Sequence, residues 1–366
     1  MSKSSLLAAL ALAVASGIAA AQDSSSAGDA LENAMRGSAV PAMAVLEMRD
    51  GQVAGEAVRG VRRNDGTALA RLDDAWLIGS DAKPMTAALV ARLVDQGKLS
   101  WTAPLSAMLP VLAEQMHAGY RAVTLGQLLS HHAGLPHDAS DADAFLQTLF
   151  RDPRPLPAQR LAYVAKALSE APVAPPGTTF EYSNTGFLVA AVIAERATGV
   201  PYEDLVRREV FAPLGMRGVA FGSQHAGQPQ GHVGGKPAKL EDTNPDMFSP
   251  AGNMAMSLRD WSAFCLDQMA GAQGHGKLLS PASYRLMQTP QPGGGSAGLG
   301  WGIQASLAGH PGPVWMHAGS DGTGYAMVAL FPASRSGLLV VANAGDDMGG
   351  AKAAREVMLS LMKAIP

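Results

Sequence analysis

The run Trp76-Leu77-Ile78-Gly79-Ser80-Asp81-Ala82-Lys83-Pro84-Met85-Thr86-Ala87-Ala88-Leu89-Val90 sets the terms for reading the rest of the chain. Met85, Leu89 and Val90 recur at helical spacing, and Gly79 supplies a natural turn just ahead of Ser80. On a helix, side chains three apart share a face with Cβ atoms about 5–6 Å apart, so the Ser80 hydroxyl and the Lys83 amine are within reach of each other. An amine beside a hydroxyl is one way to activate a serine. A serine at a helix N-terminus also lies where the dipole and the unpaired backbone N–H groups favour negative charge. The same spacing describes an ordinary serine N-cap followed by an exposed lysine. The choice between the two readings rests on partners elsewhere in the chain.

Outward from this run, the N-terminal side reads as a helix over 29–36 and a strand over 42–48. The strand turns at Asp50-Gly51 into a second strand over 52–58. The C-terminal side reverts to apolar, turn-bounded strands over 314–317, 325–330 and 337–342, followed by a closing helix over 351–363. Between them lie candidate helices over 125–129, 158–168, 185–198, 202–210 and 258–269. Strands at both ends with helices between them predict one antiparallel sheet built from the two terminal segments. Helices flank it, a helical lobe is inserted, and a cleft lies where the two meet. The fold class is α/β in the α+β sense. The domain reading is a signal peptide over 1–21 and a single domain over 22–366, with a sheet lobe at about 27–88 plus 290–366 and a mostly helical lobe at about 89–289.

The 366 residues are 47% hydrophobic and 16% charged, enough for a sizeable core, and the net charge of −3 shows no basic excess. Nucleic acid is therefore not an expected partner. Residues 1–21 carry Lys3, an apolar run from Leu6 to Val14 and Ala19-Ala20-Ala21 before Gln22, the pattern of a secretory signal cleaved after Ala21. The expected location is periplasmic or secreted, and no later segment is long and apolar enough for a membrane span. Cys265 is the only cysteine and sits in an apolar helical stretch, which fits a packed core thiol.

Two further clusters bear on Ser80. In Pro176-Gly177-Thr178-Thr179-Phe180-Glu181-Tyr182-Ser183-Asn184-Thr185-Gly186, a turn delivers Tyr182 and Asn184 just ahead of a helix. A phenol whose pKa is lowered by nearby positive charge can relay protons, and an Asn amide can orient both Lys83 and substrate. A buried tyrosine beside an Asn N-cap fits the same residues. In Trp315-Met316-His317-Ala318-Gly319-Ser320-Asp321-Gly322-Thr323-Gly324, a strand edge runs into glycines. Gly319 admits close backbone approach, and an N–H just after it can face that of Ser80 as a second oxyanion donor. A hairpin turn with a surface histidine is the simpler alternative there.

Taken together, the three clusters resemble the serine β-lactamase and penicillin-binding-protein superfamily, in the branch with class C β-lactamases, D,D-carboxypeptidases, D-amino-acid peptidases and lactamase-like esterases. Ser80-Asp81-Ala82-Lys83 matches its Ser-x-x-Lys, Tyr182-Ser183-Asn184 its Tyr-x-Asn, and His317-Ala318-Gly319 its Lys/His-x-Gly. Residues 128–136, 249–252, 298–302 and 342–346 look like family landmarks. The resemblance covers about residues 29–363.

It implies a serine hydrolase in which Ser80, Lys83 and Tyr182 are catalytic, while Asn184, His317, Gly319 and Ser320 bind substrate and the oxyanion. The carbonyl belongs to an ester, a D-amino-acid peptide or a β-lactam, so the partner is a small molecule or a peptide. No cofactor and no metal are called for. A penicillin-binding or sensor protein that acylates with little turnover shares the same motifs.

Where many β-lactamases of the family carry Lys-Thr-Gly, this chain has His317-Ala318-Gly319, with a partly charged imidazole and no hydroxyl, although Ser320 or Thr323 can stand in. Carboxylate capture is correspondingly weak on this reading. Neither Ile78–Ala82 nor Ala318–Gly322 fits the Gly-x-Ser-x-Gly of α/β-hydrolases. His131, His132, His137 and Asp138 lack the spacing of His-Glu-x-x-His or of the alternating His-x-His-x-Asp pattern of metal hydrolases. Substrate choice is expected from the loop over 222–236 and from the helical lobe.

Overall fold

Strands whose residues are apolar on both faces must be covered on both faces, and the centre of this molecule follows that rule. The structure, a computed structural model, describes residues 25–139, 148–222 and 227–365. The expected signal peptide lies outside them. Six strands make one antiparallel sheet: β1 (Ala42–Arg49), β2 (Gln52–Gly60), β3 (Gly302–Leu307), β4 (His310–Ser320), β5 (Tyr325–Phe331) and β6 (Ser336–Ala342), in the order β2-β1-β6-β5-β4-β3. The two ends of the chain therefore meet at β1 and β6, with Met43 opposite Ala342 and Met48 opposite Gly337. Asp50 and Gly51 both take positive φ, the two-residue turn that matches strand twist, so the β1–β2 hairpin forms where the sequence predicts it.

Side chains alternate across the pleat. Met43 and Val45 of β1, Ala329 of β5 and Val340 of β6 pack with helices α1 (Ser25–Met35) and, at the far end of the chain, Gly350–Met362. Ala44, Leu46, Val328 and Leu339 face the other way. They join a larger core with Leu89 and Val90 of α2 (Lys83–Asp95) and Phe264 and Cys265 of the helix Leu258–Ala272. Cys265 is buried, as its setting predicts. That larger core continues without a break into the helical lobe through α3 (Asn184–Thr198) and the helices Leu125–Leu129 and Leu156–Ser169.

Some local structure departs from the sequence reading. The helix expected over 202–210 is α-helical at Tyr202–Val206 and widens into a π-turn at Arg207–Phe211. The region 222–236 is expected as a loop. Beyond the undescribed 223–226 it forms a hairpin of His232–Val233 with Lys236–Pro237, pinned by the His232 ring to the Asn64 N–H and the Asn343 carbonyl. A small sheet of Trp76–Leu77, Met254–Met256 and Ala220–Phe221 lies just before Gly79 and sets the start of the serine turn. Among the described residues no helix is long and apolar enough to cross a membrane.

Candidate active site

Ser80 sits in a 3₁₀ turn, Gly79–Ala82, that runs directly into α2, whose first residue is Lys83. In a 3₁₀ turn the side chains at i and i+3 eclipse, so the amine stands over the hydroxyl more directly than in an α-helix. Ser80 caps nothing. The residues flanking the turn and the helix make no side-chain cap, and the Ser80 Oγ instead faces Lys83 Nζ at 2.9 Å.

Lys83 is fully buried and has two other polar neighbours, the Asn184 Oδ1 at 2.8 Å and the Ala251 carbonyl at 2.6 Å. Burial lowers its pKa from the usual lysine value to about 7, against the opposing charge of Asp138. A neutral amine has two hydrogens and one lone pair. Two oxygens that can only accept take the hydrogens, and the lone pair is left for Ser80.

Tyr182 and Asn184 come from the loop ahead of α3. Ser183 is the cap there, its Oγ accepting the Gly186 N–H at 3.2 Å, so Asn184 is released to turn inward as the first helical residue. Tyr182 stacks on His131 with ring centroids 4.5 Å apart, and Lys83 Nζ lies 4.9 Å from the Tyr182 centroid. His131 holds this loop from beneath. Its Nδ1 accepts the Ser183 N–H at 3.0 Å, its carbonyl accepts the Glu181 N–H at 2.8 Å, and burial keeps the ring neutral. Burial raises the Tyr182 pKa, while its hydrogen bond with Ser80 pulls the other way. The phenol is therefore a proton donor at rest, and the lowered pKa that the sequence reading looked for is absent.

On the third side, β4 brings His317, Gly319 and Ser320 against the serine turn. A methyl group on Gly319 would stand 2.5 Å from the Ser80 nitrogen, 2.9 Å from that of Asp81 and closer still to the Ile78 carbonyl. Gly79, with φ of +52°, returns the contact, since a methyl there would stand 2.6 Å from the Gly319 carbonyl carbon. Gly252 and Gly300 clear the remaining space, against Gly79 and the start of α2. The seven residues singled out from the sequence thus converge on one place, and the landmark stretches at 249–252 and 298–302 form its walls.

A family model described as Beta-lactamase matches residues 28–362. The chain belongs to the beta-lactamase family. It is 28% identical over 323 residues to penicillin-binding protein 4 of Amycolatopsis lactamdurans, covering 84% of this chain and 81% of the relative. It is also 30% identical over 204 residues to esterase EstB of Burkholderia gladioli, covering 52% of each. Among solved structures, D-alanine carboxypeptidase AmpC from Burkholderia cenocepacia superposes with a TM-score of 0.71 at 22% identity, covering 92% of this chain and 98% of the other. The fold is that of the serine β-lactamase and transpeptidase superfamily, and the protein is a β-lactamase-like serine hydrolase.

Within this family site, His317 differs from the sequence reading. Its side chain is about one-tenth exposed, and burial, reinforced by the charge of Lys83, pushes its pKa down to about 3. It is neutral, with Nδ1 donating to the Ala318 carbonyl at 3.0 Å. The two hydroxyls that could have replaced a missing threonine are turned away. Ser320 Oγ donates to the Gly324 carbonyl at 2.7 Å, and Thr323 Oγ1 donates to Asp321 at 2.8 Å.

The cleft beside Ser80 encloses about 340 Å³ and is lined by Phe180, Tyr182, Ala297, Trp301, Met316 and His317 among others, with no lysine or arginine. The described part of 222–236 lines none of it. Phe180 is half exposed at its mouth, edge-on to His131.

Sequence reasoning missed four participants: the Ala251 carbonyl, Asp138, His137 and the wall around Phe180. The carbonyl has no side-chain signature. The other three adjoin or lie within motifs that were read, and only the folded chain brings Asp138 and His137 to Lys83 and Phe180 to the cleft. His132 spends its ring nitrogens on Ser130 Oγ and the Gly294 carbonyl. No group of three His, Cys, Asp or Glu side chains among the described residues is placed to share a metal.

Proposed function

We propose that this protein is an exported acyl-hydrolase that forms an ester on Ser80 and acts on neutral ester or amide carbonyls, short-chain esters first and D-amino-acid amides next, ahead of β-lactams. One observation carries the reading. Lys83 is buried, has a pKa near 7 and is held by two carbonyl acceptors with its third direction on Ser80. In the proposed reaction the Ser80 proton passes to Lys83 Nζ as Oγ bonds to the carbonyl carbon. The carbonyl electron pair becomes an oxyanion between the N–H groups of Ser80 and Ser320. Collapse breaks the bond to the leaving group, which departs with the Tyr182 proton, and Lys83 resupplies Tyr182. A water then gives a proton to the Tyr182–Lys83 pair as its oxygen bonds to the acyl carbon, and collapse breaks the bond to Ser80 Oγ, which takes that proton back from the pair and leaves the carboxylic acid product. Asn184 orients Lys83 and the substrate, and Gly319 lets the substrate backbone pass close to β4.

The substrate preference follows from charge. A β-lactam or a peptide C-terminus brings a carboxylate, and desolvating it without a cation or hydroxyl partner is costly. Neutral His317, the turned Ser320 and Thr323 and a cleft without lysine or arginine offer no cation, which leaves the Tyr182 and Ser296 hydroxyls and the Gln304 amide as its uncharged polar groups. EstB is an esterase by name, which agrees with that order. Export rests on the pattern of residues 1–21, and the reading treats 22–366 as one catalytic domain, consistent with the core shared by sheet and helical lobe.

The test is a panel of p-nitrophenyl esters, D-alanyl amides, D-alanyl-D-alanine peptides and a β-lactam, with intact-mass detection of the acyl-enzyme. We expect ester turnover that rises with pH through about 7 as Lys83 loses its proton, no acyl adduct in Ser80→Ala, and a loss of about 10²–10⁴-fold in Lys83→Ala. Fast β-lactam turnover with no ester activity would refute the substrate order. A long-lived adduct with every substrate would favour a penicillin-binding role instead.

A further inference from the structure

We infer that Asp138, backed by His137, is a positioning residue for Lys83: it fixes the Asn184 amide with its oxygen toward the lysine, which leaves the lysine lone pair facing Ser80. The inference rests on Lys83 being the base of the proposed reaction. A continuous line of polar contacts carries it. His137 Nδ1 lies 2.5 Å from Asp138 Oδ2, and Asn184 Nδ2 donates to Asp138 Oδ1 at 3.2 Å. Lys83 Nζ meets Asn184 Oδ1 at 2.8 Å and Ser80 Oγ at 2.9 Å.

An amide turned the other way would aim two N–H donors at Lys83 and remove one of its acceptors. An ionised carboxylate only accepts, so Asp138 draws the NH₂ side of Asn184 to itself and settles the orientation. The same loop is tied twice, because the Asn184 N–H also donates to the His137 carbonyl at 2.9 Å. An amide transmits no proton along this line. What it transmits is direction.

Asp138 also acts through its charge. Facing Lys83 are Asp81 on its own turn, Tyr182 and Asn184 from the loop before α3, His131, His137 and Asp138 from the 131–138 segment, and His317 from β4. Asp138 is the leading charge that raises the Lys83 pKa against burial. Asp138 in turn faces His137, Asn184 and Tyr163. His137 is two-thirds exposed and faces Asp138, Lys83, His131 and the Tyr182 ring. Its bond to Asp138 keeps it protonated to higher pH than an ordinary histidine, and while protonated it offsets the Asp138 charge.

Three variants separate direction from charge, read by p-nitrophenyl acetate kinetics and by the rate of Ser80 acylation in intact-mass spectra across pH. Asp138→Ala removes both, so kcat should fall about ten- to a hundred-fold with KM changed by less than about threefold, and the acid limb should move to lower pH. Asp138→Asn keeps a carbonyl oxygen for the Asn184 amide and drops the charge. Its plateau kcat should stay within about threefold of wild type while the acid limb still moves down. His137→Gln should move the limb the other way, because Asp138 is then unopposed.

A merely structural Asp138 would lower folded yield without moving the limb. An unmoved limb in Asp138→Asn, or one that moves up, overturns the inference even if Asp138→Ala fails to fold. If Lys83→Ala acylates as fast as wild type, the base assignment itself falls and takes the inference with it. A Lys83→Ala defect beside an unmoved Asp138→Asn limb sinks the inference alone.

Discussion

Ser80 and Lys83 are legible in sequence because three-residue spacing puts two side chains on one face in either kind of helical turn, and the 3₁₀ turn merely tightens the match. Asp81 between them is less expected. It is fully buried, neither carboxyl oxygen has a hydrogen-bond partner, and His317 Nδ1 is 3.9 Å away. Burial pushes its pKa well above the usual aspartate value, with Lys83 pulling the other way. The unfolded chain releases this proton near pH 4 while the folded protein keeps it, so the folded state binds more protons above that pH. Stability contributed at this position is therefore present in acid and is lost as pH rises, by about 1.4 kcal/mol per unit until the folded group titrates. Asp81→Asn removes that slope. Its Tm relative to wild type should climb as pH is raised from about 4 toward neutrality, and a difference that stays flat with pH would mean Asp81 is ionised and paired in solution.

At the scale of elements, what could be read from sequence was what packs on both faces. The strands β1, β5 and β6 are mostly apolar and almost wholly buried because helices cover each side, and they appear close to where their composition puts them. The edge strand β3 was missed, since Gly302-Ile303-Gln304-Ala305-Ser306-Leu307 buries only Ile303 and has little strand character without β4 beside it. The two-residue strand Trp76–Leu77 ahead of Gly79 carries no periodicity at all, yet its pairing with Met254–Met256 fixes where the serine turn begins.

The crossing of β4 over that turn is the tightest joint in the site, and glycine makes it possible. Gly319→Ala puts a methyl group onto backbone of Ile78, Ser80 and Asp81, none of which can swing away as a side chain would. The Ser80 and Ser320 N–H groups proposed to hold the oxyanion would be forced apart, and kcat should drop about 10²–10³-fold, the cost of losing one such donor. The check is ester kcat beside a melting curve. Near wild-type turnover in a folded Gly319→Ala protein would rule out the Ser80–Ser320 oxyanion pair.

The whole molecule depends on a helical lobe that holds α2 from behind while β4 closes the front. That lobe is tied by Arg160, fully buried in the helix Leu156–Ser169, which meets Glu195 of α3 at 2.5 Å and Glu203 of the helix Tyr202–Val206 at 2.8 Å. Glu195 also accepts the Tyr202 N–H at 2.9 Å, and the Tyr202 hydroxyl reaches Thr86 on α2 at 2.7 Å. The triad was not legible from sequence, because an arginine at a helical position reads as surface until its two carboxylates are brought around it.

Removing Arg160 leaves two buried carboxylates without their cation, a defect worth about 3–5 kcal/mol, so Arg160→Ala should lower Tm by about 4–7 °C. The triad contributes no group to the contacts of Ser80, Lys83 or Tyr182. Below its melting transition the variant should therefore keep ester kcat/KM within about threefold of wild type. A thermal melt and a low-temperature ester assay on the same sample separate the two effects. An unchanged Tm would show the triad to be energetically neutral, whereas kinetic loss in a fully folded variant would mean that the lobe transmits its packing to the site through Tyr202 and Thr86.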